Sequence, residues 1–329
     1  MRYSFIIPVY NRPEEVDELL NSLTRQTNKN FEVLIVEDGS SVPCKEVVDN
    51  YADRLDICYY FKSNSGPGQT RNYGAERGHG EYLIILDSDC ILPEGYLAAV
   101  ESELQRQKAD AFGGPDCAHD SYSNLHKAIN YDMSSFFTTG GIRGGKKKMD
   151  KFYPRSFNMG VRAEVYKALG GFSKMRFGED IDFSIRIFQG GYACRLFPEA
   201  WVWHKRRTDL KKFFKQVHNS GIARINLYKK YPESLKVVHL LPALFTIGIV
   251  FLLLCSLVCS WSLSLLLLFA LIICVDSTLR NKSFKIGLLS ILASFIQLIG
   301  YGTGFLRAWW KRCVLGKNEF AAFEKNFYK

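Results

Sequence analysis

The chain has 329 residues, of which 47% are hydrophobic and 14% aromatic, so it can build a substantial core and is not globally disordered. Its formal net charge of +10 admits nucleic acid, anionic lipid or a phosphorylated substrate as partner. Much of the excess falls between Lys205 and Lys230, just before an apolar tail, which favours a membrane surface over nucleic acid; no nucleic-acid recognition motif accompanies it.

The first 115 residues alternate strand and helix signals. Tyr3 to Pro8 reads as a strand. Asn11 and Glu14 then stand as a helix cap and its box partner, with Pro13 in the first turn, for a helix to about Leu23. Phe31 to Val36 and Ile57 to Phe61 are further strands, Gly68 to Arg77 a helix, Tyr82 to Leu86 a fourth strand, and Gly95 to Lys108 another helix. This order predicts an α/β fold with a mostly parallel sheet and helices on both faces. Ligands of such sheets bind beyond the carboxyl ends of the strands. From Cys117 to Asp150 the pattern weakens, and the run from Gly140 to Lys148 reads as a loop over a phosphate-bearing substrate or as a solvated one.

Thr208 to Tyr228 has amphipathic spacing, with Leu210, Phe213, Phe214 and Val217 on one face, which suits a membrane interface or a helix packed on the domain. Val237 to Val275 is 39 residues without Asp, Glu, Lys or Arg. A single helix of that length is about 58 Å long, nearly twice a hydrocarbon core of about 30 Å. The expectation is therefore a hairpin of two spans joined at Ser260-Trp261-Ser262. Ile286 to Leu306 is a third apolar stretch, and Gly300, Gly302 and Gly304 suit it to close packing. Lys229, Lys230 and Lys236 before the hairpin, with Arg280, Lys282 and Lys285 after it, place the preceding domain in the cytoplasm. The nine cysteines include no CxxC pair, which fits a reduced compartment, and the N-terminal apolar run is too short for a signal peptide. The organisation expected is a domain over 1–207, an interfacial helix and linker over 208–236, membrane segments over 237–306 and a basic tail over 307–329.

Several constellations carry chemistry. Asp87-Ser88-Asp89 follows a strand directly; in extended chain, residues two apart share a face, and paired carboxylates suit Mn²⁺ or Mg²⁺ with substrate phosphates. Glu37-Asp38-Gly39-Ser40 ends another strand, where acids accept hydrogen bonds from a ribose or base or simply cap a turn. Asn64-Ser65-Gly66-Pro67-Gly68, with Arg71 and Asn72, is a glycine-rich helix start suited to phosphate. Arg71 stands where a GxGxxG fingerprint needs glycine, and no P-loop is present. Gly178-Glu179-Asp180-Ile181-Asp182 opens a helix to Gln189; its acids favour the helix dipole, or one takes a proton from an acceptor hydroxyl. His204, after two tryptophans, is a structural residue or a metal ligand.

In order along the chain, IIPVYNRPEE (6–15), VEDGSS (36–41), NSGPGQTRNYG (64–74), LDSD (86–89), FNMGVRAEVYKALGGF (157–172), GEDIDF (178–183) and Trp203-His204 resemble family 2 glycosyltransferases of the GT-A fold. The resemblance covers most of the first 205 residues. It implies a membrane-anchored enzyme that moves a sugar, with inversion, from a nucleotide-sugar donor (a UDP-sugar first) to a glycan or lipid-linked acceptor, using Mn²⁺ or Mg²⁺. Pro8, Tyr10 and Asp38 would line the nucleoside pocket, Arg71 would lie near the base or diphosphate, and Asn158 near the transferred sugar. Asp89 would be the direct metal ligand, Asp87 would sit nearer the ribose, and His204 by the diphosphate or metal. Asp180, in the pair with Glu179, would be the general base. The pathway implied is surface polysaccharide assembly at the cytoplasmic membrane.

Glu37 departs from the pattern, which more often has Asp there. No QxxRW is present, a motif of many processive members. A processive or polyprenyl-phosphate glycosyltransferase is the alternative within the same chemistry, and a non-catalytic membrane subunit the alternative outside it.

Overall fold

The alternation of strand and helix signals is realised in the computed structural model, which describes residues 2–117, 122–140, 152–175, 177–205 and 209–318. In chain order the elements begin β1 (Tyr3–Val9), α1 (Pro13–Thr24), β2 (Phe31–Asp38), α2 (Lys45–Asp49), β3 (Ile57–Lys62), α3 (Pro67–Ala75), β4 (Tyr82–Leu86), β5 (Cys90–Ile91), α4 (Tyr96–Arg106), β6 (Ala111–Gly113) and β7 (Asp116–Cys117). Next come α5 (Asn124–Ser134), α6 (Phe136–Thr139), β8 (Asn158–Arg162), α7 (Ala163–Ala168), α8 (Glu179–Gln189), β9 (Cys194–Leu196) and β10 (Val202–His204). The last helices are α9 (Leu210–Lys230), α10 (Leu241–Cys255), α11 (Ser264–Asn281) and α12 (Phe284–Trp309).

The described residues divide into two units, one holding 2–117 and 152–204, the other 122–140, 205 and 209–318. In the first, seven strands form one sheet in the order β3-β2-β1-β4-β8-β6-β9. β1 runs parallel to β2 and β4, β2 runs parallel to β3, and β8 is antiparallel to both its neighbours. β1, β2 and β4 are buried along almost their whole length because both faces of the sheet are covered there. Tyr3, Phe5, Ile7 and Val9 pack with Leu19 and Leu20 of α1 and Val100 of α4. Ile6, Leu34 and Ile85 face the other way, onto Tyr166 of α7 and Phe183 and Ile187 of α8. Each such side chain, fully withdrawn from water, contributes about 1.5–3 kcal/mol. The α/β fold expected from the sequence is therefore present, with the strand ends of β1, β2 and β4 gathered at one edge by their register.

A second sheet of three short strands, ordered β5-β10-β7, has a different use. β10 pairs antiparallel with β5, which sets His204 opposite Cys90, and parallel with β7, which sets Val202 opposite Asp116.

The start of α1 is a correction. The residue at the N-cap is Arg12, with no side-chain cap, and Pro13 supplies the first helical position. Asn11 has φ 54 and turns its side-chain oxygen to the N–H of Val42 at 2.9 Å. Its short amide tolerates that left-handed conformation and ties the loop after β1 to the loop after β2 instead of capping the helix.

In the second unit α12 is the central helix, with α5, α9, α10 and α11 packed around it. Phe213 and Val217 of α9 are buried with Ile129 and Met133 of α5 and Ala293 of α12. The amphipathic face expected over 208–228 is thus largely spent on helix packing, although Phe214 stays 39% exposed. Residues 122–140, expected to belong with the first domain, group with these helices. The sequence pattern there looked weak because the buried face of α5 carries Asp132 among its apolar residues, which breaks the 3.6-residue period. The Gly140 to Lys148 run lies outside the described residues beyond Gly140, and so do Arg206, Arg207 and Thr208.

Among the described residues, two helical stretches are long and apolar enough to cross a membrane by length and composition, Ser260–Asn281 and Phe284–Val314. The first limb of the expected hairpin, α10, has 15 residues, or about 22 Å at 1.5 Å each, shorter than a full crossing. Gly300, Gly302 and Gly304 are buried, which agrees with the close packing expected of them. A Cβ on Gly304 would stand 2.0 Å from the carbonyl oxygen of His218, so only glycine lets α9 approach so closely.

Candidate active site

The strand ends bring the motifs of the first unit to one place. β1 and β2 are in register with Pro8 beside Val36 and Val9 beside Glu37, so Pro8 and Tyr10 stand next to the end of β2. Glu37 there is fully buried, and its carboxylate accepts from the Cys44 N–H at 2.9 Å, from the Cys44 thiol at 3.0 Å and from the Ser40 hydroxyl. Its extra methylene, relative to Asp, reaches these donors across the loop, which accounts for glutamate at this position. Burial, reinforced by Glu37, holds the Cys44 thiol protonated, far above its ordinary range.

Asp38 is also buried. Its Oδ1 accepts from Lys62 Nζ at 2.6 Å and the Ser65 N–H at 2.9 Å, and its Oδ2 accepts from the Gly66 N–H at 2.9 Å. The N–H groups expected to cradle a phosphate at the start of α3 thus already have an anion, the Asp38 carboxylate. The same electrostatics that would attract phosphate is satisfied from within the chain.

Asp87 to Cys90 is a turn, with the Cys90 N–H on the Asp87 carbonyl at 3.1 Å. The extended geometry assumed for this pair does not hold, and the two carboxylates meet different partners. Asp87 Oδ1 accepts from Arg71 Nη2 at 2.7 Å, and the other arm of Arg71 reaches Glu179 Oε1 at 3.0 Å. The guanidinium lies over the Phe172 ring, 5.4 Å from its centroid. Asp89 Oδ2 accepts from Arg12 Nη1 at 2.5 Å, and its Oδ1 lies 3.2 Å from His204 Nε2. The other ring nitrogen of His204 is 3.5 Å from Asp116 Oδ2, and the ring stacks on Phe157 at 5.0 Å. Burial opposes ionisation of Asp89, but His204 and Arg12 overcome it and hold the carboxyl well below the usual range.

Asp89, Cys90 and His204 each bring one ligand atom within 4.8 Å of the others. The Cys90 thiol, however, is fully buried, held protonated by that burial, and turned to the Phe157 carbonyl at 3.4 Å. A carboxylate and an imidazole remain, and this pair fits Mn²⁺ or Mg²⁺ with places left for phosphate oxygens.

α8 begins at Glu179 because Gly178 takes φ 86, a conformation that costs glycine nothing. Asp180 Oδ2 pairs with Arg155 Nε at 2.6 Å, and its Oδ1 accepts from the Ile181 N–H. Burial opposes its ionisation, but Arg155 and then Arg71 keep Asp180 below its ordinary value. Glu179 goes the other way: burial, then Asp180 beside it, outweigh Arg71 and a backbone hydrogen bond and push it up to about 7. Two neighbouring carboxyls with opposite shifts are suited to different proton duties.

A profile described as glycosyl transferase family 2 matches residues 4–170. The chain belongs to this family.

Among its relatives, an uncharacterized glycosyltransferase of Rickettsia felis is 34% identical over 143 residues, 43% of this chain and 23% of that protein. Glycosyltransferase AglE of Haloferax volcanii is 28% identical over 249 residues, 71% of this chain and 79% of AglE. The chain spans about a fifth of the length of the Rickettsia relatives it matches. Among solved structures, mannosyltransferase PcManGT from Pyrobaculum calidifontis, in complex with GDP-Man and Mn²⁺, superposes with a TM-score of 0.65 at 17% identity, covering 93% of this chain and 87% of that one. TarS 1–349 of S. aureus, in complex with UDP-GlcNAc, gives 0.52 at 20% identity, covering 69% and 67%. Both likenesses are of fold, and they show the GT-A architecture.

The family 2 motifs therefore converge, with one placement of a different kind. Asn158 is 1% exposed; its amide donates to the Ala200 carbonyl at 2.8 Å and its oxygen accepts from Tyr96 at 2.7 Å. It braces the wall beside Asp87, where β8 pairs Asn158 with Leu86. Sequence reasoning passed over Arg12, Asp116 and Arg155. Arg12 lay within a recognised motif, and its place just before Pro13 at a strand end was the available signal. Asp116 stands just before, and Arg155 just after, the stretch from Cys117 to Asp150 where the pattern weakens, and neither carried one.

Proposed function

We propose that the protein transfers a sugar from a nucleotide-sugar donor, a UDP-sugar first, to a hydroxyl of a glycan or lipid-linked acceptor, with inversion. The observation that supports it is the Arg71 bridge, which puts the Asp87 turn beside the Glu179-Asp180 pair. Leaving-group binding and proton removal then fall within one pocket. Pro8 and Tyr10 would flank the nucleoside, while Asp38 and Asn158, whose polar atoms the chain itself engages, would hold the pocket walls. Asp87 would sit towards the ribose. Asp89 and His204 would hold Mn²⁺ or Mg²⁺, whose charge stabilises the departing diphosphate. Asp180 would accept the acceptor's proton as its oxygen attacks the anomeric carbon from the opposite face. A general base of this kind contributes about 10²- to 10⁴-fold.

The apolar stretches Ser260–Asn281 and Phe284–Val314 support anchoring in a membrane, and the basic residues at 229–236, between the first unit and these stretches along the chain, suit its cytoplasmic face. A role in surface glycan assembly is proposed with that placement. The test is the thermal stability of the detergent-purified protein with UDP, GDP, dTDP and CDP, each with and without Mn²⁺ or Mg²⁺. A nucleotide at about 100 times its dissociation constant adds roughly 2.7 kcal/mol. A metal-dependent shift with one nucleotide supports the reading and names the donor class. No shift with any of them points to a non-catalytic subunit.

A further inference from the structure

Asp89, the carboxylate that the reading above gives to the divalent cation, already has a cation. Arg12 Nη1 lies 2.5 Å from Asp89 Oδ2, with the arginine side chain 29% exposed and the aspartate 12%. The other oxygen of Asp89 faces His204 at 3.2 Å. An ion bound at about 2.1 Å needs the same oxygen face that the guanidinium N–H groups cover, and it would set two positive charges against one carboxylate. The rest of the pocket is matched in the same way, with Arg71 on Asp87 and Glu179 and Arg155 on Asp180. The pocket without ligands is thus already paired, acid by acid. A nucleotide diphosphate changes that balance by adding an anion that can face both the metal and Arg12. Arg12 sits at the junction of the β1 loop and α1, where its chain position is fixed by Pro13 while its long side chain can swing.

We propose that Arg12 is an internal counter-ion that occupies the metal's place on Asp89 and gives it up when a nucleotide diphosphate enters, so that metal binding depends on nucleotide. This rests on the metal reading above. It requires a positive coupling between the two ligands, which for linked sites typically amounts to about 5- to 150-fold, and it assigns part of that coupling to Arg12.

The experiment titrates Mn²⁺ into the full-length protein in detergent and follows free Mn²⁺ by electron paramagnetic resonance. Titrations run with and without UDP or GDP, with the Mn²⁺–nucleotide complex formed in buffer subtracted. The wild type is expected to bind Mn²⁺ weakly alone and about tenfold or more tighter with its nucleotide. Arg12→Gln is expected to bind Mn²⁺ alone about tenfold tighter than the wild type, with a smaller gain on adding nucleotide. Arg12→Lys, which keeps the charge, should stay near the wild type. Arg155→Gln removes a pocket charge that touches Asp180, not Asp89, and should change Mn²⁺ affinity less. The inference is overturned if Arg12→Gln binds Mn²⁺ alone no tighter than the wild type, or if Arg155→Gln tightens it as much; in both cases the metal reading stands. Equal wild-type affinity with and without nucleotide also overturns it, without recourse to any variant. No Mn²⁺ bound to any of the proteins with either nucleotide overturns the metal reading and this inference together.

Discussion

Arg71 donates from Nη2 to Oδ1 of Asp87 at 2.7 Å, with only 4% of its side chain exposed. Its other arm holds Glu179 at 3.0 Å, so a single cation ties the turn after β4 to the start of α8. Without the guanidinium, two carboxylates would face each other's surroundings with no neutralising partner. Breaking a buried charge pair from one side costs about 3–5 kcal/mol. Arg71→Ala is expected to lose about that much in chemical unfolding. Arg71→Lys should lose less but still measurably, since one ammonium cannot span both acids. A loss below about 1 kcal/mol for Arg71→Ala would mean the bridge is not part of the native architecture.

Asp180 carries the proton chemistry of the proposed transfer. Asp180→Asn keeps the shape and the contact with the Ile181 N–H region but removes the basic oxygen. Turnover, read as release of nucleoside diphosphate from the donor picked out by the stability screen, is expected to fall roughly 10²-fold or more. Donor affinity, measured by calorimetry, should stay as it was. Turnover close to wild type would remove Asp180 from the role and leave Glu179 as the candidate.

The parallel part of the sheet was readable because β4 is an unbroken apolar run and β1 and β2, buried on both faces, are nearly so, with Ser4 and Glu32 the polar exceptions before the acids that end β2. α8 was readable because its acids and Gly178 mark its start, whereas the short strands β6, β8 and β9 gave no such run. α5 was not readable, since Asp132 sits on its buried face. Within the site, residue identities were legible in the motifs, but pairings were not. Nothing local says that Asp38 turns inward to Ser65 and Gly66, or that Asp89 meets Arg12, because these pairs lie 27, 28 and 77 residues apart. Asp87 and Asp89 part from a common face for a related reason. The chain turns at once after β4, and the tight turn is favoured by the β5–β10 pairing, which only the tertiary fold supplies.

Glu179 makes stability depend on pH. Its ordinary value is 4.5, and burial beside Asp180 pushes it up to about 7. Between these values the folded protein holds a proton that the unfolded chain has released. The contribution is therefore fully present below about 4.5 and is lost as pH rises through 7. Glu179→Gln cannot ionise and should flatten that fall, so that its stability relative to wild type improves from about pH 5 to pH 8. Unfolding midpoints measured at both ends of the window check this. Parallel pH slopes for the two proteins would show that Glu179 is not shifted.

The helical unit offers a test of packing that is separate from the chemistry. Gly304 of α12 lies against α9, and a Cβ there would stand 2.0 Å from the His218 carbonyl oxygen. Backbone cannot yield as a flexible side chain can, so the two helices would have to part. Gly304→Ala is expected to cost about 1–3 kcal/mol or more. A Cβ on Gly248, inside α10, would meet no atom within 4 Å among the described residues, so Gly248→Ala should gain about 0.5–1 kcal/mol from helix propensity alone. The two substitutions add the same methyl group and differ only in what it meets. Opposite shifts in thermal midpoint, measured in the same detergent, are the expected result. If Gly304→Ala were as stable as wild type, α9 and α12 would not be in contact at His218, and the close packing of the glycine face would have to be abandoned.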